Sequence, residues 1–108
     1  MLKPTKVNIL GVTYTVEYVQ NPAEVDIFRR KSLWGQIDYW TRTIRIYDNG
    51  RPMEDLWQTL LHEILHGIAE AMHLNGLNEH HEELDIVALA LTDVLFRNGW
   101  LTGGDSGD

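Results

Sequence analysis

The chain contains no cysteine. Disulfides and every thiolate metal site are therefore excluded, and any bound metal must be held by His, Asp or Glu. No apolar run is long enough for a membrane span. The longest, Ile86 to Leu91, is far short of the roughly 20 residues a bilayer needs. The opening stretch MLKPTKVNILGVTYTV starts with positive charge but has no sustained apolar segment before Gly11, so no signal peptide is expected. Excess positive charge is also lacking. Nine Lys and Arg face sixteen Asp and Glu, a formal net charge of −7, which disfavours nonspecific binding to nucleic acid or anionic membranes. Together these absences point to a cytoplasmic protein.

What is present suits one small globular domain. Hydrophobic residues make up 44% and charged residues 23% of 108 positions, a balance that argues against disorder. The expected domain covers residues 1–102. The tail 103–108, small and polar, is expected to be disordered.

Two stretches read as hairpins. Val7–Leu10, Gly11 and Val12–Val19 alternate, with Val12, Tyr14, Val16 and Tyr18 on one face. GQIDYW, TR and TIRIY form the second, with Asp48-Asn49-Gly50 leading out. Asn21-Pro22 breaks the chain between them, and residues 21–33 read as a connector with one helical turn.

Two helices follow. Trp57, Leu60, Leu61, Ile64, Leu65, Ile68 and Met72 recur with the period of an amphipathic helix, which Asn75 and Gly76 end. Asn78 caps a second helix over about 79–97, whose packing face is expected to be Leu84, Val87, Leu91, Val94 and Leu95. The expected fold is α+β: a small antiparallel or mixed sheet of two hairpins packed on two antiparallel helices.

The first helix carries TLLHEILHGI. At about 100° per residue, His66 lies roughly 40° from His62 and one turn along, so both imidazoles can reach one cation. Glu63 is swung about 100° away, outside ligand geometry but beside the position of a metal-activated water. The competing reading is a helix with two histidines bordering its apolar face. It is weakened if a third ligand exists, because a catalytic zinc usually takes three protein ligands.

His73 shares the face of His62 but stands about 16 Å along an unbroken helix, too far to serve unless the helix ends early. Glu83, at the edge of the expected packing face of the second helix, is the better candidate. The first helix rises about 10 Å from His66 to residue 73 and the second descends about 7 to 8 Å from Asn78 to Glu83, which brings Glu83 level with His66. An acid so placed needs a partner. Glu79 and Glu82 are accounted for by the helix dipole, and His80 is the second choice of ligand.

HEILHGI, followed about twenty residues later by Glu83 in EELDIVALAL, resembles the gluzincin-type zinc metallopeptidases. More narrowly it resembles compact phage and prophage proteins related to the ImmA/IrrE metallopeptidase family, whose second motif helix opens with a stretch like EANxFA. Glu83 falls on the glutamate of that stretch, Asp85 on its asparagine and Ala88 on its final alanine, whereas Leu84 and Val87 depart from the usual letters. GQIDYWTRTIRIY resembles the hairpin that such proteins place before the motif helix.

The resemblance implies a zincin-like minimal core with one zinc per chain held by His62, His66 and Glu83. It also implies Glu63 as general base, and a peptide or protein substrate, a regulatory protein among the candidates. Tyr39, Tyr47, His73 and His80 are candidates for oxyanion stabilisation. Two other readings stay open: a protein-binding module stabilised by a closed zinc site with His80 as fourth ligand, and a non-catalytic phage regulatory protein.

Overall fold

The computed structural model describes residues 3–26, 34–74, 76 and 81–101, the side chains of Pro22 and His81 excepted. Four strands and two helices lie within them: β1 (Lys6–Ile9), β2 (Val12–Val19), β3 (Gly35–Asp38), β4 (Thr43–Tyr47), α1 (Met53–Ala71) and α2 (His81–Arg97). A short 3-10 turn, Pro22–Glu24, follows β2. The tail 103–108, His80 and Arg29 to Lys31 lie outside the described residues.

Alternation explains both hairpins. In β2, Tyr14 and Val16 are buried while Thr13, Thr15 and Glu17 face solvent, and in β4 Ile44 and Ile46 are fully buried. β1 pairs antiparallel with β2, and β3 with β4. The hairpins join through β2 and β4, which run parallel with Val16 beside Ile44 and Tyr18 beside Ile46. The order is β1-β2-β4-β3, so the sheet is mixed and β3 is an edge. The long connection from Val19 to Gly35 ends at the same end of the sheet where it began, and β3 then carries the chain back, so that β4 starts level with Thr15 and runs parallel to β2.

The apolar stripe of α1 closes the core. Leu56 and Leu60 are buried with Ile9, Tyr14, Val16, Ile44 and Ile46, and Ile64 and Ile68 pack against them. Gly67 lets helix and sheet approach: a Cβ there would stand 2.8 Å from the Ile9 Cδ1 and 3.0 Å from the Ile37 Cδ1.

The end of α1 differs from expectation. Met72 is the C-cap and His73 takes the left-handed conformation, with φ of 57°. Leu74 N–H bonds to Ala69 O and His73 N–H to Glu70 O, the paired bonds of a Schellman turn. The stop thus falls before Asn75, on a residue that tolerates positive φ better than most.

α2 packs on α1 by only part of the expected face: Leu84 is buried and Leu95 half-buried. Leu84, Ala88 and Thr92 are buried, whereas Val87, Leu91 and Val94 are exposed. By helical angle the buried face is rotated roughly 65° from the expected one. Alanine and threonine at this contact allow a close approach, and the Thr92 hydroxyl is satisfied by the Ala88 carbonyl at 2.7 Å. This rotation decides which acid of α2 meets α1.

Candidate metal centre

His62 and His66 lie one turn apart on α1, and their Nε2 atoms face each other at 3.1 Å. Two nitrogens bound to one tetrahedral zinc at about 2.0–2.1 Å stand roughly 3.3 Å apart, so the pair nearly matches that spacing. His66 is buried and His62 half-buried. The rings meet edge to face, with centroids 4.8 Å apart.

The other nitrogen of His62 turns toward α2. Its Nδ1 lies 3.4 Å from Asp85 Oδ1, an ion-pair distance longer than a good hydrogen bond. A carboxylate on that side favours the tautomer with the proton on Nδ1 and leaves Nε2 with its lone pair.

Glu63 is buried between α1 and β3, with 7% of its surface exposed. Burial pushes its carboxyl up to about 7, and a hydrogen bond from the Ile37 backbone N–H opposes the shift. In β3 the Trp34 carbonyl accepts from Tyr47 N–H, so by alternation the backbone groups of Gly35 and Ile37 point away from β4. The edge strand therefore turns its outer side to Glu63. Gly35 is required at this contact: a Cβ there would lie 2.5 Å from Thr59 Cγ2 and 3.2 Å from Glu63 Oε2.

These groups open on a cleft of about 540 Å³ whose walls include Trp34, Gly35, Arg51, His62, Glu63 and Asp85. Arg51 is fixed there by bonds to Tyr47 O at 2.7 Å and Thr59 Oγ1 at 2.7 Å, and stacks 4.5 Å from the Trp34 ring centre.

The structure brings together His62, Glu63 and His66 and does not bring Glu83 to them. Glu83 is exposed on α2, roughly 135° from the centre of its buried face, whereas Asp85 lies roughly 65° from it. The rotation of α2 is the cause: it carries Glu83 outward and brings Asp85 to His62. Among the described residues no group of three His, Asp or Glu is gathered tightly enough to hold a metal ion. His80, the second choice of ligand, lies outside the described residues.

The other candidates also find places. The Tyr39 hydroxyl donates to the His66 backbone carbonyl at 3.1 Å, and burial, with the charges of Glu70 and Glu63, raises its pKa to about 12. It anchors the β3–β4 turn to α1. Tyr47 packs against Trp34. His73 ends α1 and is exposed. Asp85 is the residue that sequence reasoning passed over. The signal that could have found it is its spacing from Leu84 and Ala88, the residues that seat α2.

No protein family, curated protein or solved structure matches this chain.

Proposed function

We propose that the protein is a zinc-dependent peptidase. The observation that carries this reading is the convergence of the two Nε2 atoms, 3.1 Å apart, beside a buried carboxyl that titrates near neutrality. His62 and His66 would hold the ion. When bound, zinc lowers the pKa of a water and polarises a carbonyl.

The chain's own groups have distinct tasks. Asp85, 3.4 Å from Nδ1, would favour the His62 tautomer that keeps the Nε2 lone pair toward His66. Glu63, buried and poised near pH 7, can take a proton from the attacking water and return it to the leaving amine. Its bond to Ile37 N–H fixes the carboxyl in the cleft. The outer side of β3 suits an extended peptide, which could pair with the Gly35 backbone groups that point away from β4.

The test is hydrolysis of a quenched peptide library by zinc-loaded protein and by Glu63→Gln. Cleavage that Glu63→Gln abolishes while keeping its zinc supports the proposal. Tight zinc binding with no cleavage of any peptide would favour a zinc-stabilised binding module instead, and cleavage unchanged in Glu63→Gln would remove Glu63 from its role.

A further inference from the structure

The helix α2 is apolar on two sides. Leu84, Ala88 and Thr92 are buried in the fold, while on the other side Ile86 is 66%, Val94 46% and Val87 42% exposed. A helix that is apolar nearly all round belongs in an interior, and a contiguous exposed apolar face on a small domain marks a contact surface.

The outer face has its own order. Glu83, Ile86, Val87, Ala90, Val94 and Arg97 recur at spacings of three, four and seven, the seam of a helix that packs on another helix. The sequence is also balanced about its middle. Glu83 and Arg97 each stand seven positions from Ala90, and Ile86 and Val94 each stand four positions from it. Laid antiparallel on a copy of itself with Ala90 at the crossing, this face sets Glu83 against Arg97, Ile86 against Val94, and Ala90 against Ala90. The small residue lies where two backbones must come closest. A parallel arrangement would set Glu83 on Glu83 and Arg97 on Arg97, which charge repulsion disfavours.

We propose that the outer face of α2 is a homodimer interface, in which the helix packs antiparallel on α2 of a second copy about a two-fold axis at Ala90. The arrangement is isologous, so one patch serves both partners and the assembly closes at two. Arg97 donates through Nε to Asp93 one turn earlier and keeps further N–H groups for the Glu83 carboxylate across the axis. The exposure of Glu83, which takes it away from the histidine pair, is what makes it available here. The interface does not depend on the metal reading, because it uses the opposite side of α2.

The experiment is sedimentation equilibrium of the metal-free full chain from about 1 μM to a few hundred micromolar, with circular dichroism as a check of fold. A single pair of helices lies at the small end of specific interfaces, so a dissociation constant in the range of roughly micromolar is expected. Ala90→Glu, at an exposed helix position, should keep the helical spectrum and weaken association at least about tenfold by setting like charges together. Glu83→Arg and Arg97→Glu should each weaken the dimer, and the double swap should restore it. A chain monomeric at every concentration would overturn the proposal. So would a dimer indifferent to Ala90→Glu, or one that the double swap fails to rescue.

Discussion

Asp85 Oδ1 stands 3.4 Å from His62 Nδ1, and the opposite nitrogen of the same ring faces His66. The carboxylate therefore acts on the far side of the imidazole from the proposed ion. Loss of such an outer partner typically costs about 10- to 100-fold in metal affinity. Asp85→Asn is expected to weaken zinc binding by that order, measured by competition with a chromophoric chelator, and Glu83→Ala by much less. The reverse order would return Glu83 to the ligand set.

Glu63 gives the metal-free protein a pH-dependent stability. Its folded pKa, near 7, lies above the unfolded value of about 4.5, so the folded state holds the proton more tightly. Its favourable contribution is complete below about pH 4.5 and is lost as pH rises through 7, at a cost of about 3 kcal/mol. Glu63→Gln should remove this cost. Urea denaturation of the metal-free proteins should find the variant more stable than wild type at pH 8 and nearly equal to it at pH 4.5. Parallel pH profiles would mean that the carboxyl titrates normally.

Gly35 is where β3 touches α1. Alanine there meets the Thr59 methyl, whose hydroxyl is engaged by Arg51 and whose side chain has little room to turn. Gly35→Ala is expected to destabilise the fold by about 1–3 kcal/mol and to displace the Glu63 carboxyl. Unfolding midpoints check the first effect. The second appears as loss of the pH dependence assigned to Glu63.

His73 occupies a left-handed position that glycine fills without strain. His73→Gly should leave zinc affinity unchanged and raise stability by up to about 1 kcal/mol. A loss of zinc would show that His73 reaches the metal.

The outcome at α2 shows what local pattern can and cannot decide. Both hairpins and α1 were legible because their apolar residues fall on one face: Tyr14 and Val16 alternate with polar neighbours, and Leu56, Leu60 and Ile64 follow the helical period. The parallel pairing of β2 with β4 was not, because it depends on where the long connection sets down β3, which leaves β4 between β2 and β3, rather than on either strand. The side of α2 that packs on α1 was not legible either. From Ile86 to Leu91 every residue is apolar, so periodicity selects no face, and the choice falls to close packing through Leu84, Ala88 and Thr92. That choice left Glu83 exposed and brought Asp85 beside His62. His62, Glu63 and His66 kept their expected relation because one helix fixes all three.

Zinc binding by equilibrium dialysis, read by elemental analysis, tests the central claim most directly. The account predicts one zinc per chain, retained by Glu63→Gln and lost by His62→Ala and by His66→Ala. A folded wild-type chain that takes up no zinc, or uptake that survives removal of both imidazoles, would contradict it.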